Sequence, residues 1–310
     1  MGGLENQRGA WAFVRGGMGA VSETLAKVAR QHSVDIFTDS EVREIACHAG
    51  KARGVVLKSG MEIKARAVLS NATPKVTFLD LCPATVLPDE FVTAIESIDY
   101  QSPVTKINVA LKCLPNFACL PNGGNNKPLP HHGTTIHLNT EDIETVQRGY
   151  LDYLNGECSK RPLIEMTIPS SRDDSLAPAG AHVASLFTQY TPYDLNWDQQ
   201  RKTAYAQTVF SNIEEYCPGF TSSVVGYEVL SPPDLESIFG LTGGNIFHGS
   251  LSLDQLYFCR PIPHYADYRT PIQRLYLCGS GAHPGGGVTG GPGRLAALAL
   301  LKDAHKPLPF

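Results

Sequence analysis

Early in the chain, apolar residues fall at Val21, Leu25, Val28 and Ala29. That is the three-and-four spacing of one helix face, so a helix is predicted after Gly16-Gly17-Met18-Gly19. A short strand is expected at Val34–Phe37. Three β-rich runs follow, at Val42–Cys47, Gly54–Leu57 and Ile63–Leu69. Ala49-Gly50-Lys51 and Lys58-Ser59-Gly60 separate them, and connections this short favour an antiparallel meander.

From about Pro74 the pattern changes. Alternating apolar positions predict strands around Ile107, Val109 and Leu111, at Leu163–Ile168, at Val183–Tyr190 and at Val224–Leu230. Two helices lie between them. One runs from a Thr140 cap to Gly156 with Ile143, Val146, Tyr150, Leu151 and Leu154 on one face; the other runs from about Asp198 to Tyr216 and stops at Pro218-Gly219. Both stripes are expected to be core rather than a partner groove. Leu114–Gly133, rich in Pro, Gly and Asn, is expected as an exposed loop. Strands and helices without a regular βαβ rhythm suggest an α+β arrangement. Near the end, Leu253–Phe258 reads as a short apolar helix or turn and Leu275–Cys278 as a compact buried strand. A closing helix is expected at Leu295–Leu301.

The length of 310 residues favours about two domains. A formal charge of −4 without a basic cluster gives no electrostatic footprint for nucleic acid. No apolar run approaches the roughly 18 residues of a membrane span, and Met1–Ala10 carries no signal-peptide pattern. The eight cysteines are scattered without a C-x-x-C pair, so thiol redox chemistry and a zinc site are not supported. His131, His132 and His137 have no carboxylate or Cys at ligand spacing, so no metal site is expected. His264 reads as a surface or loop residue. No Gly-x-Ser-x-Gly elbow is present for nucleophilic hydrolysis.

The most informative segment is Leu275-Tyr276-Leu277-Cys278-Gly279-Ser280-Gly281-Ala282-His283-Pro284-Gly285-Gly286-Gly287-Val288-Thr289-Gly290-Gly291-Pro292-Gly293-Arg294, with eight glycines after Cys278. Without Cβ atoms a backbone can approach a ligand closely. The loop leads from a strand end to a helix N-terminus, where free N–H groups and the helix dipole favour an anion or a heterocycle carbonyl. Gly285-x-Gly287-x-x-Gly290 formally matches a dinucleotide fingerprint but is rejected. The chain leaves the strand well before Gly285, and too little chain follows for a βαβ unit with its acid.

Tyr276–Arg294, with Leu253–Pro261, Tyr268-Arg269-Thr270-Pro271 and the early segment from Gly16 through Glu41-Val42 to Ser70-Asn71-Ala72, resembles the phytoene desaturase and carotenoid isomerase group of FAD oxidoreductases, of the amine oxidase-like fold. The resemblance covers essentially the whole chain. It implies an α+β or α/β fold: an incomplete FAD-binding domain of the glutathione reductase type, with an inserted mixed-sheet substrate domain. The domains would be 1–74 (helix plus meander), 75–248 (substrate-type) and 249–310 (return of the FAD-binding domain with the glycine loop). Nothing before Gly16 matches the family's opening βαβ, so FAD binding is expected to be weak or absent in a truncated chain.

By the same resemblance Gly279, Ser280 and Gly281 would lie beside the FAD pyrophosphate and ribityl chain. His283, Pro284, Gly285, Gly286, Gly287 and Val288 would wrap the isoalloxazine edge. Val42 would meet the adenine through its backbone, and Asn71 and Ala72 would end the strand beneath the cofactor. Ser280 stands where many relatives carry Asp. The implied reaction is hydride or two-electron removal from a substrate C–H bond to the flavin. His248 would lie near the flavin face as proton donor or substrate-orienting residue, unless it is a hydrogen-bonded structural His. Arg260 would pair with a carboxylate or a flavin oxygen. The partner would be a small, apolar substrate, with a protein partner as a further possibility. Location would be intracellular, in mitochondria by resemblance. Two further readings stay open: a cofactor-free interaction or regulatory protein on the same scaffold, and an unstable product whose bared sheet edges and apolar surface cause aggregation.

Overall fold

A computed structural model describes residues 3–4, 7–8, 12–123 and 126–305. In chain order the elements are β1 (Gly3–Leu4), β2 (Gln7–Arg8), α1 (Gly19–Gln31), β3 (Val42–His48), β4 (Lys51–Leu57), β5 (Glu62–Lys64), β6 (Val68–Ser70), α2 (Asp89–Glu96) and β7 (Val104–Leu111). Then come β8 (Ile136–Leu138), α3 (Ile143–Leu154), β9 (Leu163–Thr167), β10 (His182–Gln189), α4 (Gln199–Tyr216), α5 (Phe220–Ser223), β11 (Val224–Leu230), α6 (Pro232–Phe239), β12 (Leu275–Leu277) and α7 (Gly291–Ala304). They form two compact units, one of Met1–Arg8, Phe37–Ser102 and Leu235–Phe310, the other of Gly9–Ile36 and Pro103–Asp234. These divisions differ from cuts at 75 and 249: α2 packs with the meander, and α1 groups with the sheet unit.

In the first unit β3, β4 and β5 form the expected antiparallel meander. The run Ile63–Leu69 is not one strand. It breaks after Lys64, and β6 takes β12 as a parallel partner instead. Sequence alternation cannot reveal that change, because the partner lies some two hundred residues later. Ile45, Phe78, Phe91, Ile95, Ile272, Leu275 and Leu277 are buried together in the core. Tyr276 Oη and the Arg269 guanidinium both donate to Asp303 on α7, at 3.0 Å and 2.8 Å, fastening the last helix to β12.

In the second unit five antiparallel strands run in the order β11-β7-β10-β9-β8. On β7, Thr105, Ile107, Val109 and Leu111 are buried while Lys106, Asn108 and Ala110 alternate to the other face. With Ile164, Met166 and Leu186 the buried set meets Tyr205, Val209, Phe210 and Ile213 of α4. Asp198 caps α4 by accepting the Arg201 N–H at 2.8 Å, and Gly219 beyond its end adopts φ 91°.

Several expectations change. Residues 34–37 form no strand, and Phe37 is exposed. The cap of α3 is Asp142, whose carboxylate accepts the Thr145 N–H at 2.7 Å, rather than Thr140. The Leu114–Gly133 loop buries Leu114, Phe117 and His132. No residue of α1 is buried, although its apolar stripe is as predicted. The α3 stripe is likewise outward: Ile143 is 84% exposed and Leu154 59%. That helix packs through Thr145 and Gly149, with Gly149 against the Ser159 side chain. Periodicity shows that a face is apolar but not what covers it. All eight cysteines are free, and no helix among the described residues is long and apolar enough to cross a membrane.

These burial patterns predict unequal truncation costs in urea unfolding. Ile164→Ala, at a fully buried position, should cost about 2–5 kcal/mol. Ile143→Ala should stay within about 0.5 kcal/mol; a large cost there would mean that the stripe is covered in solution.

Candidate functional site

Val68, Leu69 and Ser70 pair in parallel with Leu275, Tyr276 and Leu277, and the Cys278 N–H donates to the Ser70 carbonyl at 2.8 Å. The two strands therefore end together, and Asn71-Ala72 leaves the sheet beside Gly279–Gly281. The C-terminal edge of parallel strands is where open α/β sheets commonly place ligands. A Cβ on Gly279 would overlap the Asn71 carbonyl, and one on Gly281 would overlap the Pro74 ring. Neither glycine has a positive φ, so close approach, rather than a left-handed backbone, is what requires them. The later loop differs: Gly285, Gly287 and Gly290 have φ of 92°, 120° and 66°. Val288, a β-branched residue, is held at φ 54° and is 76% exposed.

Beside Asn71 lies a cavity of about 570 Å³. Val42, Ile45, Val55 and Val68 give it apolar walls, while Glu41, Arg43, Lys58, Asn71 and Asp80 bring polar and charged groups of both signs. Val42 begins β3 next to an irregularity in the ladder between Val42 and Glu44. Lys58 pairs with Glu41 across 2.6 Å. The volume lies within the range of small-ligand sites, about 300–1,000 Å³, and the lining mixes apolar and charged groups. The structure thus brings Val42, Asn71 and Ala72 to one cavity. None of residues 279–288 lines it. Gly279 approaches it only through the Asn71 backbone.

Arg260 is 1% exposed, and its guanidinium is spent on main-chain carbonyls. Nε donates to Ser280 O at 2.9 Å; Nη1 donates to Gln255 O at 3.1 Å and Ser250 O at 3.2 Å. Nη2 donates to Phe247 O and to Gly249 O. With all its donors committed, it cannot also bind a carboxylate or a flavin oxygen. This corrects the sequence reading. Arg260 instead ties the Phe247–Ser250 segment to the glycine loop at Ser280, and Gly285 packs near its Nε.

His248 sits within that tied segment at φ 59°, close to Gly281. Its Nδ1 is buried with no hydrogen-bond partner. Burial, and secondarily the Arg260 charge, pushes its pKa below the ordinary histidine value. The structural alternative of a hydrogen-bonded His is therefore not met at Nδ1. Gly286 lies against Phe247 and Ser280. His283 is half-buried, and Pro284 is exposed in the same loop. His132 is structural: it accepts the Leu129 N–H at Nδ1 and contacts Pro115 O through Nε2 at 2.8 Å. Arg43, Lys58, Asp80 and Pro74 were missed by sequence reasoning. They come from separate elements and share no motif.

The sequence matches the family described as flavin containing amine oxidoreductase over residues 2–292. It is 54% identical over 308 residues to pyridine nucleotide-disulfide oxidoreductase domain-containing protein 2 of Rattus norvegicus, covering 98% of this chain and 53% of that protein. It is 28% identical over 281 residues to the chloroplastic prolycopene isomerase of Daucus carota, covering 88% and 41%, in agreement with the resemblance read from Tyr276–Arg294. A crystal structure of an oxidoreductase from Methanosarcina mazei is similar in fold with a TM-score of 0.57 and 18% identity, covering 93% of this chain and 55% of that one. The chain spans about half the length of the curated relatives it matches.

The packing at the strand ends predicts that Gly279→Ala costs about 1–3 kcal/mol, whereas Gly50→Ala, with open space around it, loses only what its left-handed φ demands. Differential scanning calorimetry of the two variants compares them. The His248 shift carries a pH sign. The unfolded chain binds the proton first as pH falls through the ordinary value of about 6.5, so stability is lost on acidification. His131 and His182 are shifted in the same direction by burial. His248→Gln should therefore reduce, without abolishing, the loss of urea stability between pH 7.5 and 5.5. Equal losses in both proteins would contradict a depressed His248.

Proposed function

Because the chain belongs to the family of flavin-containing amine oxidoreductases, we propose that it forms part of an FAD-dependent oxidoreductase that removes a hydride, or two electrons, from a C–H bond of a small apolar substrate. The observation that carries the reading is the junction of two distant segments. Asn71-Ala72 and Gly279–Gly281 emerge together from β6 and β12, beside the cavity that Val42 also lines. In this reading the first unit is a glutathione reductase-type FAD-binding domain, and the second is the inserted substrate domain.

The cavity beside Val42 fits the group by its lining: Val42, Ile45, Val55 and Val68 give apolar walls, and Arg43, Lys58 and Asn71 carry donors beside the carboxylates of Glu41 and Asp80. Val42, Asn71 and Ala72 would hold the adenosine end. Gly279, Ser280 and Gly281 would hold the pyrophosphate and ribityl portion, and His283 to Val288 would border the ring system. When bound, the flavin supplies two-electron acceptance. Arg260 fixes the carbonyls of Phe247, Gly249 and Ser280, and so sets the position of His248 between them in sequence. In this reading His248, whose pKa burial lowers and whose Nδ1 has no partner, would hold or hand on a proton there.

A second reading, a cofactor-free interaction protein on the same scaffold, draws support from the outward apolar stripe of α3. One titration separates the two. Added FAD should give saturable quenching of its fluorescence with this chain. Arg43→Glu, at an exposed position on the cavity, should weaken binding roughly threefold to tenfold. No saturation would favour the interaction reading for this chain taken alone, and saturation untouched by Arg43→Glu would remove the assignment of the Val42 cavity to the flavin.

A further inference from the structure

The face of the five-stranded sheet opposite α4 carries a charge without a counter-charge. By register, Lys106 on β7 lies between Phe187 of β10 and Leu230 of β11, so apolar neighbours flank its stem. Its ammonium donates to Ser185 Oγ. Among the described residues no carboxylate stands within ion-pair distance of it, whereas Lys202 pairs with Asp234 at 2.6 Å. On the same face Glu228 is engaged by the Asn108 amide at 3.2 Å, and Glu165 lies across Phe187. Burial pushes the Lys106 amine below the usual lysine range, as expected of a cation that lacks an anionic partner. Ser185 links this group to a cavity of about 420 Å³ bounded by Asn108, Ala110, Pro169, Val183, Ser185 and Glu228.

We propose that this sheet face binds a small carboxylic acid with an apolar body, its carboxylate on Lys106 Nζ and Ser185 Oγ and its hydrocarbon part in the adjoining cavity. The chemistry follows from what is missing and what is present. A partly desolvated ammonium gains most from an anion that brings its own negative charge. The serine hydroxyl accepts from Lys106 and has its own proton left to donate to a second ligand oxygen. The walls at Ala110, Pro169 and Val183 offer an apolar surface, and the volume lies within the small-ligand range of about 300–1,000 Å³. Glu228 on the same face disfavours a second anionic group on the ligand, so a monocarboxylate is preferred over a dicarboxylate. The site lies wholly within the sheet unit, and its argument uses no residue of the flavin cradle.

Isothermal titration of the whole chain with octanoate, octan-1-ol and octylammonium tests it. Octanoate should bind saturably, with octan-1-ol and octylammonium each roughly tenfold weaker or more. Lys106→Met should weaken octanoate by a similar factor, and Lys106→Arg should retain most of the affinity. Lys106→Met removes a desolvated charge and should melt no lower than the parent, which keeps its binding result interpretable. In the unaltered protein, the ¹³Cε signal of Lys106 should move on saturation with octanoate. Absence of saturable octanoate binding would overturn the proposal. So would equal binding of the alcohol, preference for the ammonium, an unchanged affinity in Lys106→Met, or a stationary Lys106 signal.

Discussion

The backbone at Gly279 passes so close to the Asn71 carbonyl that a single added carbon would collide with it. That approach depends on β6 and β12 running in parallel and in register, with the Cys278 N–H closing the pair onto Ser70. If the strands parted there, Asn71-Ala72 and Gly279–Gly281 would no longer leave the sheet side by side. The cavity beside Val42 would then lose its neighbouring loop. Two strands of three residues each thus hold together the two ends of the first unit. Their short ladder is reinforced by burial of Leu275, Tyr276 and Leu277 and by the anchoring of α7 through Asp303.

A second constraint acts on the loops. Arg260 is a buried cation with no carboxylate, and it satisfies its donors with carbonyls from Phe247 to Ser280. Burying a guanidinium in this way is costly unless every donor is used, so the arrangement favours one loop geometry strongly. Its charge also adds to the burial that keeps His248 neutral. A residue that looks like a ligand-binding arginine therefore acts on the site by positioning main chain and by tuning a neighbour.

The second unit treats its charges differently. Lys202 of α4 and Asp234 of α6 neutralise each other, and Arg161 meets Glu215 at 2.9 Å. Lys106 alone among these has apolar flanks and only a hydroxyl partner. The α3 helix adds a further imbalance: it buries its small residues and turns Ile143, Leu151 and Leu154 outward. Hydrophobic periodicity measures the sidedness of a helix, and both faces of this one have reason to seek cover.

The sequence by itself determined the local elements. The strands β7, β9, β10 and β11, the helix α4 with its stop at Pro218-Gly219, and the meander turns all follow from alternation, helical spacing and turn residues, which act within a few residues of one another. It also pointed to the glycine loop as a place where the backbone must do what other residues cannot: close approach at Gly279 and Gly281, and a left-handed φ at Gly285, Gly287 and Gly290. The tertiary structure decided the rest. The parallel partner of β6, the collision that requires Gly279, the carbonyl ring around Arg260 and the isolation of Lys106 all join residues far apart in the chain. A single sequence carries no signal for such pairs, since burial and electrostatics depend on which surfaces meet, and that is fixed only when the whole chain has packed.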